Sequence, residues 1–208
     1  KINFKKIDLI HSPRTSFLKF SFSILNILNS VLPVEKNDIL ETINELSKLR
    51  NQISSQNLSD SNPALSLANF ISGIPLIYYP YGLQSSATRF KSSMQENAKT
   101  HTIIEDVVEA SHNGIVAWEK KSNVRPILIQ GKNDHIKTSE RWDILKEYFS
   151  SKNIDYRFVE SVNGSILTKI INLSYLLDYS SIYASVLNKI DPTPVQSIED
   201  IKKKIAVK

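Results

Sequence analysis

The chain has 208 residues, 41% of them hydrophobic and 23% charged, with a net charge of +5 and no cysteine. That length can bury a sizeable core in one large domain, or in one domain with an appendage, and the composition is that of a globular protein, not a disordered one. A disulfide framework and a cysteine-based zinc site are excluded, and no uninterrupted run of about 18 apolar residues suggests a membrane span.

The first residue is Lys1, and the opening reads like mid-domain sequence, so a piece of a longer chain is expected. Ser12 followed by Pro13 predicts a helix start, with Ser12 as cap and the apolar spacing Phe17, Phe20, Ile24, Leu28, Val31 carrying the helix to about Leu32. A second helix is predicted over 35–52, with Ile39, Ile43, Leu46 and Leu49 on one face. The polar, turn-rich run 54–63 leads to a short helix, ALSLANFIS. IPLIYYP at 74–80 reads as a buried strand. A turn of small residues then leads into a helix of about three turns that ends in QENAK at 95–99.

THTIIEDV at 100–107 predicts another strand, and SHNGIVAW at 111–118 a loop. VRPILIQG at 124–131 is the clearest buried strand. A helix over 139–151, an alternating strand at 154–161 and a long helix from about Ser165 to Lys189 follow. DPTPV at 191–195 is a stiff connector to a last helix, SIEDIKKKI. Strands separated by helices imply a parallel sheet with helices on both faces, and ligands in such folds gather at the carboxyl ends of strands. The turn after the 74–80 strand is therefore where a ligand is expected.

The chemistry concentrates around Glu96 and His112. An enzyme that shifts a proton between adjacent carbons of a sugar needs one group to take a proton from carbon and another to open and close the ring. A carboxylate and an imidazole suit these tasks. Arg89 and Ser93 lie seven and three residues before Glu96, on the same helical stripe. Arg14, near a helix start, could face an anion. Each residue also has a plain reading: a surface Glu, a surface His, an N-terminal Arg, and Lys202 as part of a solvated tail with Lys203 and Lys204. The excess positive charge either coats a helix face or attracts an anionic ligand such as a sugar phosphate. No nucleic-acid-binding motif is present, and no histidine spacing suggests a metal. With only 5 glycines there is no Walker-type or paired-glycine phosphate loop, and no GxSxG elbow exists.

Four segments, in order, resemble the C-terminal half of the bifunctional phosphoglucose/phosphomannose isomerases, of the SIS (sugar isomerase) superfamily. SPRTSF is similar to that family's Pro-Arg helix start, and IPLIYYPYGLQSSATRFKSSMQENAK to its strand, turn and helix ending in Asn-Glu-Asn-Ala-Lys. SHNGIVAWE is similar to its His-Asn-Glu-Ile loop, and LLDYSSIYASVLNKIDPTPVQSIEDIKKKI to its Asp-Tyr-x-Ser-x-Tyr helix, Asp-Pro-Thr-Pro connector and lysine-bearing end. The sequence departs at Gln95, Val108 and Gly114, where the family carries Asn, commonly Pro, and usually Glu.

The resemblance implies an α/β fold: a SIS-type three-layer domain with a small parallel sheet flanked by helices. Residues 54–208 would form the C-terminal SIS domain with its C-terminal helix, and 1–53 a helical bridge toward an absent N-terminal SIS domain. It implies interconversion of glucose 6-phosphate or mannose 6-phosphate with fructose 6-phosphate through a cis-enediol, in carbohydrate metabolism (glycolysis and gluconeogenesis) in the cytoplasm. Glu96 would be the proton-transferring base, and His112, from a partner subunit, would assist ring opening. Arg14 would stabilise the enediolate, and Lys202 would contact the sugar. No cofactor, metal, nucleic acid or membrane is implied. A homodimer with shared active sites is, and without the family's N-terminal phosphate loop the chain alone should turn over substrate poorly. The rival expectations are a non-catalytic SIS module that binds a sugar phosphate and a purely dimerising domain.

Overall fold

A computed structural model describes residues 6–8 and 11–206. In chain order it runs α1 Phe17–Ile27, α2 Lys36–Ile53, α3 Pro63–Phe70, β1 Ile74–Tyr79, α4 Gln84–Asn97, β2 Ile103–Asp106, α5 Val107–Ala110, β3 Val124–Gln130, α6 Ile136–Ser151, β4 Arg157–Glu160, α7 Ile166–Leu187 and α8 Gln196–Ala206. A 3-10 turn, Gly114–Glu119, lies between α5 and β3. The four strands form one parallel sheet in the order β2-β1-β3-β4.

Alternation along the strands divides the core in two. Ile77 and Tyr79 of β1 and Ile127 and Ile129 of β3 face α2, α3, α4 and α7. Leu76, Tyr78 and Leu128 face α5 and α6, where Phe149 is fully buried against the rings of Tyr78, Trp118, Tyr148 and Tyr156. Pro75 and Pro126, which have no N–H to donate, each sit one position before the second neighbouring strand joins the ladder, so neither leaves a central gap.

α2 packs along α7. Leu49 and Ile53 enter the core, Thr42 Oγ1 lies 3.0 Å from Thr168 Oγ1, and Asn172 donates to the Glu45 carbonyl at 3.4 Å. Ile43, expected on the packed face, is 53% exposed; the inward stripe runs through Thr42, Leu49 and Ile53 instead. α1 and α8 differ from the other long helices in burying no described residue.

α1 is shorter than the 12–32 helix the spacing predicts. Residues 13–16 form a turn, and Ser12 does not cap α1: its N–H takes the Thr15 hydroxyl at 3.1 Å. The segment is tied down by longer-range contacts of the Arg14 side chain. At the other end the helix stops at Ile27 and residues 28–31 form a turn, with the Leu32 N–H donating to the Leu28 carbonyl at 2.9 Å just before Pro33.

Candidate active site

α4 leaves the carboxyl end of β1 and runs back along the sheet. Its buried residues Ser86, Ala87, Phe90, Ser93, Met94 and Asn97 recur at helical spacing and set the helix down on the core. Fourteen residues of helix cover about 20 Å, so the last turn, with Glu96, comes to the amino-terminal end of the sheet. Glu96 therefore stands at the other end of the strands from the turn after β1, where the sequence leads one to expect a ligand.

At that last turn Arg14 meets Glu96, its Nε 3.2 Å from Glu96 Oε2, with the two side chains 20% and 35% exposed. The same guanidinium donates to Asn97 Oδ1 at 2.7 Å, to the Pro192 and Thr193 carbonyls at 2.8 and 2.9 Å, and more weakly to the Glu96 carbonyl at 3.4 Å. Asn97 in turn donates to Ser181 Oγ of α7 at 2.8 Å. Lys99 adopts φ 53° just past the helix and turns its ammonium back onto the Glu96 carbonyl at 2.5 Å and the Pro194 carbonyl at 2.6 Å. Two cations thus sit where the α4 dipole is negative, and hold the connector 192–194 against it. The connector is also braced from within: Asp191 accepts the Thr193 N–H at 2.8 Å, a bond that lowers its pKa.

Arg89 and Ser93 share α4 with Glu96 but serve a different carboxylate. Arg89 grips Asp178 of α7 through Nε at 3.0 Å and Nη2 at 2.8 Å, and Ser93 donates to Asp178 at 2.5 Å. Arg89 Nη2 also donates to the Arg14 carbonyl at 2.9 Å, and its guanidinium lies 4.3 Å from the centre of the Phe17 ring. A cleft of about 420 Å³ opens here, lined by Arg14, Arg89, Asn97, Asp178, Phe17 and Tyr179 among others; Glu96 is not part of its lining.

His112 lies elsewhere in the chain. It follows β2 and α5, past the carboxyl end of the sheet, and is exposed. One chain therefore places Glu96 and His112 at opposite ends of its strands. The His112 segment packs near Glu105, whose carboxylate occupies the space a Cβ on Gly114 would need, 2.6 Å away. Burial, with the nearby Glu109 charge, raises the Glu105 pKa. Lys202 is exposed on α8. Among the described residues, no three His, Cys, Asp or Glu side chains converge as ion ligands, and no helix is long and apolar enough to cross a membrane.

Sequence reasoning missed Asp178, Asn97 and Lys99. Asp178 carried a usable signal: it is the only carboxylate in the 22 residues of α7, most of which are apolar or small, and a lone acid on a packed helix needs a partner.

A four-stranded parallel sheet between helical layers makes this a three-layer α/β domain. The chain belongs to the family described as the bacterial phospho-glucose isomerase C-terminal SIS domain, which it matches over residues 60–205. It is 30% identical over 185 residues to a bifunctional phosphoglucose/phosphomannose isomerase of Caldicellulosiruptor bescii, covering 86% of this chain and 54% of that protein. The chain spans about half the length of the curated relatives it matches. Among solved structures, its fold is similar to that of a glucose-6-phosphate isomerase like protein from Thermus thermophilus (TM-score 0.67, 15% identity, 88% of this chain and 60% of that one). It is also similar to that of a putative phosphosugar isomerase from Salmonella typhimurium (TM-score 0.62, 11% identity, 92% and 61%).

Proposed function

We propose that the chain is the C-terminal part of an aldose–ketose isomerase that interconverts glucose 6-phosphate, and mannose 6-phosphate, with fructose 6-phosphate. The family and its curated relatives support the reaction class. The observation that carries the assignment is the half-buried Glu96 carboxylate held 3.2 Å from Arg14.

In this reading Glu96 takes the proton from C2 of the open-chain aldose. The electron pair of that C–H bond forms the C1–C2 double bond of a cis-enediolate, and the negative charge passes to O1. The O2 hydroxyl proton passes to O1 and leaves the charge on O2; as that charge forms the C2 carbonyl, the C1–C2 double-bond pair takes the proton back from Glu96 at C1 and the ketose results. The Arg14 cation keeps the base oriented and offsets the developing charge. His112 of a second copy would donate a proton to the ring oxygen as the sugar opens, and Lys202 would reach the sugar from α8. No metal or organic cofactor takes part, and the working unit is a cytoplasmic homodimer with an isologous interface. Because Glu96 and His112 stand apart within one chain, this reading requires that a second copy bring the ring to the carboxylate. An N-terminal SIS domain would supply the phosphate grip, with residues 1–53 leading toward it.

One observation favours a rival reading. Arg14 already bonds to the α4 end and to the connector, so the Arg14–Glu96 pair could serve as a clamp in a sugar-phosphate-binding module without turnover. Glu96→Gln in the full-length protein separates the two. An isomerase should lose turnover by roughly a thousandfold, the range of general base catalysis, while its affinity for the sugar phosphate changes by less than about threefold. Equal turnover in the variant and the parent, measured by coupled assay, would remove Glu96 from the mechanism.

A further inference from the structure

We infer that Asp178, acting through Arg89, is a positioning residue for the Glu96 base. The inference rests on the isomerase reading for its kinetic consequence, but not for its structural one.

The chain of contacts begins in α7. Asp178 accepts two bonds from Arg89 Nε, at 3.0 and 3.1 Å, one from Arg89 Nη2 at 2.8 Å and one from Ser93 Oγ at 2.5 Å. A carboxylate held through both oxygens by a planar guanidinium fixes that plane as well as its distance. The locked plane aims Arg89 Nη2 at the Arg14 carbonyl, 2.9 Å away, and lays the guanidinium over Phe17, the first residue of α1. Arg14 is therefore fastened on both sides. Its backbone is held by Arg89, and its side chain is held by Glu96, Asn97 and the connector.

The local structure around Arg14 makes this anchor matter. Arg14 belongs to a turn, not to a helix. The local side-chain bonds of that turn, Ser12 N–H to Thr15 Oγ1 and Thr15 Oγ1 to the Ser12 carbonyl, are solvent-exposed. The Arg89–Asp178 pair is mostly shielded, at 20% and 23% exposure. Without Asp178, Arg89 keeps no defined plane, the turn loses the backbone half of its two-sided anchor, and the Arg14 guanidinium drifts relative to the Glu96 carboxylate. Misplacement of a reacting group by about 1 Å can lower a rate on the order of a hundredfold. No bond of Asp178 reaches Glu96 itself; its side chain acts through Arg89 on Arg14, and through Ser93, one turn before Glu96 on α4.

The test uses two readouts. In this chain, the solvent exchange of the Arg14 Nε proton is followed by arginine side-chain NMR in the parent, Asp178→Asn and Asp178→Glu. The expected result is exchange at least about tenfold faster in Asp178→Asn, with substantial recovery in Asp178→Glu, which keeps the charge. In the full-length protein, Asp178→Asn should lower kcat by roughly ten- to a hundredfold while KM stays within about twofold, again with partial rescue by Asp178→Glu. Unchanged Arg14 exchange in folded Asp178→Asn overturns the inference, as does a loss of activity that merely follows the loss of folded protein. If Asp178→Asn does not fold, Ser93→Ala, which removes one donor from Asp178, decides: faster Arg14 exchange supports the inference and unchanged exchange overturns it. Should Glu96→Gln retain full turnover, the isomerase assignment falls on that result alone, and the exchange experiment still decides whether Asp178 holds Arg14.

Discussion

At the scale of single residues, two glycines show how differently the same substitution acts. Gly73 has φ +92°, and a Cβ there would lie 2.1 Å from the Asn123 carbonyl oxygen, the acceptor for the Ile74 N–H that opens β1. Neither the conformation nor the clash can be relieved without moving backbone. Gly73→Ala should cost on the order of 3 kcal/mol, a drop of roughly 6–12 °C in Tm for a protein of this size. Gly114→Ala meets only the end of the Glu105 side chain, which can swing aside, so its Tm should stay within about 2 °C of the parent. Differential scanning calorimetry of both variants checks the contrast. Legibility at this scale follows exposure and sequence distance. Glu96 and Arg14 stand in recognisable motifs, and the structure brings them together. Asp178 carried only the signal of a lone acid on a packed helix; its partners, Arg89 and Ser93, lie 89 and 85 residues away in α4, and no local spacing names them.

At the scale of elements, the strands and the long helices were legible because burial imposes a period. The β1 and β3 segments are apolar runs closed by turn residues, and α7 follows its predicted span to within a few residues. The one-turn helix α5 and the 3-10 turn after it were not foreseen, since pieces of four and six residues carry too few positions for a period to show. The join of α2 to α7 also escaped the sequence, because polar groups make much of it. The Glu41 carboxylate accepts the Ser165 N–H at 2.9 Å and the Thr168 hydroxyl at 2.8 Å, at the positive end of α7. Those bonds lower the Glu41 pKa below its ordinary 4.5. A carboxylate with a depressed folded-state pKa stabilises above its unfolded value, and that stabilisation fades as the pH falls through the folded one. Glu41→Gln should therefore melt below the parent at pH 7, with the gap closing as the pH drops below 4.5. Thermal melts across that range that keep a constant gap would contradict the assignment.

At the scale of the whole molecule, the two residues best suited to proton transfer stand at opposite ends of one sheet. A shared site makes a specific demand on mixing experiments. Full-length Glu96→Gln and His112→Ala should each be inactive as pure proteins. In a random mixture of refolded dimers, half are hybrids, and each hybrid has one site with both an intact carboxylate and an intact imidazole. Activity should return to about a quarter of the parent value, as the two-fold symmetry of an isologous dimer requires. Equal inactivity of the mixture and its components, with hybrid formation verified by native mass spectrometry, would exclude donation in trans.

The hold on residues 192–194 has an implication for how this protein can vary. Arg14 and Lys99 take backbone oxygens there, not side chains. Such a latch reads the path of the chain, which Pro192, Pro194 and the Thr193 N–H help to set, and not the side chains themselves. Exchanges that keep this path should drift quietly, whereas gaining or losing a single residue would turn the oxygens away and slacken the grip beside the Glu96 carboxylate.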